Sequence, residues 1–204
     1  MWVVRHTMIT AEQVKSLREQ TGISVMQCKK ALEEAGGDTE KAILILRKKG
    51  AEVASKKSDR TLAAGVIGSY IHSDRKLGVL VELLCETDFV AKNDEFIVLA
   101  QDLAMHIAAM NPEFVTYEDI PEEAMAEIKT SAEKDVSNLQ KPEEIKQKIV
   151  AGKIETYFKD RVLLSQQFVK EQDITVKELL ERFIQKTGEK IEVGRFRRLV
   201  LLKE

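Results

Sequence analysis

Cys85, followed three residues later by Asp88, is the pairing that most suggests reactive chemistry: a thiol nucleophile beside a carboxylate. Its setting argues otherwise. Val79, Val81, Leu83 and Cys85 alternate with a period of two, which places the thiol on the apolar face of a strand and predicts a buried structural cysteine. His6, His72 and His106 lie far apart in the chain, and neither a metal set nor a nucleophile–base pair is expected from them. His72 reads as a turn residue, and His106 sits beside the Leu103/Ile107 stripe of a helix, where a structural histidine is expected. Gly65-Val66-Ile67-Gly68 falls in a strand-like run rather than opening a helix, so it is not a phosphate cradle. The acidic pair Glu33-Glu34 is ordinary solvated helix surface. The sequence contains no GxxxxGK(S/T), HExxH or CxxC pattern. No catalytic residue, metal or cofactor is expected. Binding is the better reading.

The segment that stands out is Thr87-Asp88-Phe89-Val90-Ala91-Lys92-Asn93, which places an aromatic ring on a loop in a chain with only 5% aromatic residues. Two arrangements fit it. Phe89 folds beneath the loop as a core staple, or it stands outside as a ring able to wedge into a partner's pocket, with Asp88 fixing the approach.

The flanking elements follow from periodicity and capping residues. Thr10 with Gln13 predicts a capped helix that carries Val14 and Leu17 inward and stops at Gly22. Ser24 with Gln27 starts a second, whose stripe is Val25, Cys28, Leu32 and Ala35, closed by Gly36-Gly37. Asp38 caps a third, with Ala42, Ile45 and Leu46 facing in and Gly50 just past its end. The period then changes from 3.6 to 2. Leu62–Ile71 and Leu77–Cys85 are predicted strands joined by a polar turn at 72–76. Asn93 is the expected N-cap of a helix bearing Phe96, Ala100, Leu103 and Ile107, which ends near Asn111-Pro112. Pro121 and Pro142 each read as the first residue of an amphipathic helix, and another helix follows Thr175. A last strand is predicted over Lys190–Leu202, with Ile191, Val193, Leu199 and Leu201 on one face and a bulge or close approach at Gly194. The expected fold is α+β: an extension over 1–8, a three-helix domain over 9–50, a linker over 51–61, and a core over 62–204 with an antiparallel sheet flanked by helices.

Composition narrows the function classes. Hydrophobic residues make up 44% and charged residues 32%, with 32 Lys+Arg against 34 Asp+Glu, which argues against wholesale disorder and against a generic nucleic-acid binder. The charge is uneven: residues 1–60 hold 12 basic and 8 acidic residues, a balance of +4, and the remainder holds 20 and 26, a balance of −6. Two cysteines make no disulfide framework, and a reducing cytoplasm fits them best. No stretch reaches the roughly 18 apolar residues of a membrane span, and the opening Met1-Trp2-Val3-Val4 is not expected to be a signal peptide. With Met8 close by, residues 1–7 read as an alternative start or a non-native addition, to be left out of the fold argument.

Several motifs, in order, resemble the elongation factor Ts family. Thr87–Asn93 is similar to that family's signature loop. Val14-Lys15-Ser16-Leu17-Arg18-Glu19-Gln20-Thr21-Gly22 with Cys28-Lys29-Lys30-Ala31-Leu32 is similar to its N-terminal signature, and Met105-His106-Ile107-Ala108-Ala109 with Pro112-Glu113-Phe114 is a third match. The resemblance covers the chain from Met8 onward. It departs from the family at Val25, where methionine is usual, and at Gln27, where aspartate is usual.

The resemblance implies a ubiquitin-associated-like three-helix domain, and a core whose loop enters the nucleotide-binding domain of elongation factor Tu. There the residue matching Phe89 disturbs the Mg²⁺ and phosphate site so that GDP leaves, and the residue matching Asp88 contacts the same region. Residues matching Lys15, Arg18, Val25 and Met26 touch the partner in that family. From periodicity, Met26 is expected to be exposed and Val25 to lie on the core stripe. A single wedge loop resembles the short type of the family, which implies a homodimer, with the terminal strand as a pairing edge. Two other readings stay open at this level: an adaptor that binds only through residues 9–50, and a small thiol enzyme using Cys85.

Overall fold

The computed structural model describes residues 9–137, 139 and 141–202. The 1–8 extension, with His6 in it, lies outside the described residues. Within them the chain is α+β, with eight α-helices and five strands in two sheets. It divides into two compact units. One comprises residues up to Val66, Leu83–Ile97 and Lys177–Glu192, and the other Ile67–Glu82, Val98–Val176 and the chain from Val193.

The first unit begins with three helices, α1 (Ala11–Thr21), α2 (Val25–Glu34) and α3 (Thr39–Ser55). Each starts where its sequence predicts. Thr10 closes a capping box with Gln13, Ser24 accepts from the Gln27 N–H, and Asp38 accepts from the Lys41 N–H. Their inner faces meet in one cluster of Val14, Leu17, Ile23, Cys28, Ala31, Leu32, Ala42 and Leu46.

Two expectations fail here, each for a physical reason. Gly50 does not end α3, which runs five residues further and makes 51–55 helical rather than linker. Instead Gly50 is buried where α3 passes α8 (Val176–Thr187): a Cβ there would lie 3.1 Å from Gln185 Oε1 and 3.5 Å from the Glu181 carbonyl. Glycine serves close approach at this point, not termination. Val25 is not core either. As the first residue of α2 it overhangs the bundle and is 50% exposed, while Ile23, just before the cap, takes the inward place.

One sheet has the order β1 (Ala64–Ile71), β2 (Leu77–Cys85), β5 (Ile191–Val200), and β3 (Gln167–Phe168) pairs antiparallel with β4 (Glu171–Thr175) in a second. In β2 the predicted alternation holds: Val79, Val81, Leu83 and Cys85 are all buried. In β5 it holds only to Val193. Gly194 and Arg195 are successively exposed, the alternation flips, and Leu199 and Leu201 stand outside instead of facing in.

In the second unit Gly68 has a steric duty. A Cβ on it would fall 2.2 Å from the carbonyl oxygen of Ala100 on α5 (Asp94–Met110), so any side chain would force backbone apart. α5 buries Phe96, Ala100, Leu103 and Ile107, as their spacing predicts. α6 (Glu122–Ser137) and α7 (Glu143–Lys159) pack side by side over Ala132, Val136 and Val150, and over Ile120 and Phe158. Their prolines sit one place earlier than expected: Pro142 is the N-cap of α7, and α6 starts just after Pro121.

Candidate functional site

The Thr87–Asn93 segment lies wholly in the first unit and is more ordered than a loop. Asp88–Ala91 form a single helical turn, α4, closed by the Lys92 N–H donating to the Asp88 carbonyl. Adjacent residues on a helix point about 100° apart, so one turn cannot bury Phe89, Val90 and Ala91 together. Val90 and Ala91 are buried at 5% and 6% exposure, and Phe89 is turned outward at 84%. The ring is therefore no core staple. Thr87, Asp88, Lys92 and Asn93 are also exposed.

Both ends of the segment are tied down. Asn93 caps α5 as expected, its Oδ1 accepting from the Glu95 N–H at 2.9 Å. Thr87 occupies the N-cap position of α4, yet its hydroxyl makes no cap bond. It donates instead to Glu189 Oε1 at 2.6 Å, and the Thr87 N–H donates to Glu189 Oε2 at 3.0 Å. Glu86 returns the arrangement: its carboxylate accepts from the Lys190 N–H at 2.5 Å and from Arg60 Nη1 at 3.1 Å. The Lys190 N–H is the main reason the Glu86 carboxyl is held below the usual carboxylate range, with Arg60 adding to it. Lys186, near the end of α8, forms an ion pair with Glu95, and a Cβ on Gly22 at the end of α1 would lie 3.7 Å from the Lys186 ammonium.

Cys85 sits at the base of the segment, fully buried, with its thiol donating to the Thr87 carbonyl at 3.3 Å. Burial pushes this thiol's pKa up, and the Glu189 and Asp88 carboxylates push it the same way. A nucleophilic cysteine needs the reverse, so the geometry opposes a thiol enzyme. His106 is buried as a structural histidine: Nδ1 accepts from the Val169 N–H at 3.2 Å, and Nε2 lies 2.9 Å from Gln166 Oε1. His72 lies in the β1–β2 turn, its N–H donating to the Leu77 carbonyl. Among the described residues no cluster of three His, Cys, Asp or Glu side chains could hold a metal ion, and no helix is long and apolar enough to cross a membrane.

The four N-terminal candidates share the first unit with the segment. Lys15, paired at 3.8 Å with Glu19, and Arg18 lie on the outer face of α1. Val25 and Met26 open α2, and Met26 is 64% exposed. What the sequence reading missed are Glu189, Glu86 and Lys186. Glu189 lies 102 residues from Thr87, and no local pattern marks it.

Fold and site together define an α+β protein that displays one aromatic ring on a braced helical turn. The model of the family described as "Elongation factor TS" matches residues 9–183. Elongation factor Ts of Carboxydothermus hydrogenoformans is 50% identical over 95% of this chain and 89% of its own length. The proteins of the same name from Fervidobacterium nodosum and Coprothermobacter proteolyticus are 47% and 49% identical, over 94% and 95% of this chain and 97% and 98% of theirs. The chain belongs to the elongation factor Ts family.

Proposed function

We propose that this chain is a guanine-nucleotide exchange factor of translation elongation. It binds elongation factor Tu·GDP, inserts the Thr87–Asn93 turn led by Phe89, disturbs the Mg²⁺ and phosphate site, and lets GTP replace GDP. The observation that carries the reading is the 84% exposure of Phe89 on a turn whose neighbours Val90 and Ala91 are buried. An aromatic presented this way can enter a pocket at little ordering cost. Mg²⁺ tolerates little departure from octahedral oxygen geometry, so a small displacement of its ligands weakens its hold on the bridged phosphates. The coupling is reciprocal: the factor weakens GDP by the same ratio that GDP weakens the factor. No bond is made or broken by this chain, so it acts as a factor and not as an enzyme.

Lys15, Arg18, Val25 and Met26 supply the second contact: all four are exposed, two basic and two apolar, a chemistry suited to a protein surface. Residues 9–50 are read as the ubiquitin-associated-like domain and 62–204 as the core and dimerisation domain, in a protein that works in the cytoplasm. A homodimer is supported by the outer sheet face in the second unit. There Ile67, Ile71, Leu80 and Leu199 are 67%, 64%, 53% and 78% exposed, around the Arg195–Glu82 ion pair.

The test is release of labelled GDP from purified elongation factor Tu with catalytic amounts of this protein. Multiple-turnover acceleration is expected. Tight binding without accelerated release would replace the reading with that of an adaptor acting through residues 9–50.

A further inference from the structure

We propose that Glu189 is a positioning residue for nucleotide exchange: by holding Thr87 through both carboxylate oxygens, it fixes the direction in which Phe89 leaves the fold. The proposal rests on the reading of Thr87–Asn93 as the inserting element. Its physical basis is a bond forgone. A threonine at an N-cap normally turns its hydroxyl onto the helix it starts, a contribution of about 1 kcal/mol. Thr87 leaves α4 without that bond and gives its hydroxyl to Glu189. Because its N–H goes to the same carboxylate, one side chain sets both the peptide plane and the side-chain rotamer of the residue from which the turn departs.

Glu189 is itself held on both sides. Its N–H donates to Thr187 Oγ1, the Gly188 carbonyl accepts from Lys57 Nζ at 2.6 Å, and Lys190 Nζ donates to the Ser58 carbonyl at 2.6 Å. The Glu86 carboxylate takes the Lys190 N–H, so residues 86–87 and 189–190 grip each other twice, each segment supplying a carboxylate to the other's backbone. At the far end of the turn Lys186 pairs with Glu95. A surface turn carrying a solvent-exposed Phe89 gains little core from this bracing. What bracing supplies is preorganisation: a ring already aimed loses less freedom on insertion than one on a mobile loop.

The test is a double-mutant cycle of Glu189 and Phe89, read as kcat/KM for fluorescent GDP release from elongation factor Tu, with thermal unfolding measured in parallel. Glu189→Ala is expected to lower kcat/KM by about tenfold, the scale of re-ordering a few side chains on insertion. Glu189→Gln, which keeps one acceptor, is expected to fall between it and the parent. The deciding readout is coupling: in a Phe89→Ala background, Glu189→Ala should cause no further loss, because there is no ring left to aim. A purely structural Glu189 would lower both backgrounds by the same factor, and that outcome overturns the proposal. So does a parental rate for Glu189→Ala while Phe89→Ala is slow. If Phe89→Ala itself exchanges at the parental rate, the insertion reading fails and this proposal with it. Should Glu189→Ala fail to fold, Glu189→Gln carries the same cycle.

Discussion

Replacing Phe89 with alanine separates a binding ring from a structural one, because the two roles predict different ratios of lost exchange to lost stability. A phenylalanine side chain contributes about 150–250 Å² of contact surface when covered. With 84% of Phe89 uncovered, about 170 Å² is available to a partner. At about 25 cal/mol per Å² that is at most about 4 kcal/mol. Ordering the partner's pocket around the ring takes back about 1 kcal/mol. The remaining 3 kcal/mol or so corresponds to a loss of about two orders of magnitude in kcat/KM for GDP release. Folding sees only the covered remainder, about 30 Å² and under 1 kcal/mol, or about 4 °C or less in Tm for a chain of this size. The assay is stopped-flow release of fluorescent GDP from elongation factor Tu, paired with thermal unfolding of the variant alone. The reasoning is refuted if exchange is unchanged, or if the loss of exchange only tracks a comparable loss of stability.

Other sites give sharp expectations. Gly68→Ala should destabilise the protein by about 3 kcal/mol in chemical denaturation, because its Cβ would meet the Ala100 carbonyl at 2.2 Å and neither backbone can yield cheaply. Charging the outer sheet face with Ile67→Glu and Leu199→Glu should convert a dimer to a monomer in light scattering with little change in thermal stability, since both side chains are exposed. His106 predicts an acid sensitivity: burial holds its pKa below 6.5, so the unfolded chain binds the extra proton first and stability falls as pH drops below about 6.5. His106→Gln should accordingly lose less Tm between pH 7.5 and pH 5.5 than the parent does.

What could be read from the sequence was whatever is decided locally. Thr10, Ser24 and Asp38 mark helix starts because a cap bond spans three residues, and β2 shows its buried face because alternation is set by the strand itself. The misreadings have separate causes: a tertiary contact at Gly50, a change of face in β5, and at Val25 its place at the very start of α2. Gly50 looks like a stop, but the helix continues past it, and α8 passes so close that a Cβ there would press on the Gln185 side chain. Leu199 and Leu201 continue an apolar alternation that is real in sequence, yet the strand changes face near Gly194 and carries them outside.

The same limit applies with most force at the site. Phe89, Val90 and Ala91 are three consecutive apolar residues, and any one of them could be the residue left outside a single helical turn. Hydrophobicity alone would bury the phenylalanine, the largest of the three. The fold does the reverse, and its means are not local: the turn is set in place by a carboxylate 102 residues further along the chain, and by the strand end that buries Cys85 beneath it. The uncovered ring leaves about 170 Å² of apolar surface outside the fold. On the proposed insertion that surface is kept for the partner, and the hydrogen bonds from Thr87 to Glu189 keep it turned outward. That is why Glu189, which has no surface chemistry of its own to recommend it, belongs in the same account as the ring it aims.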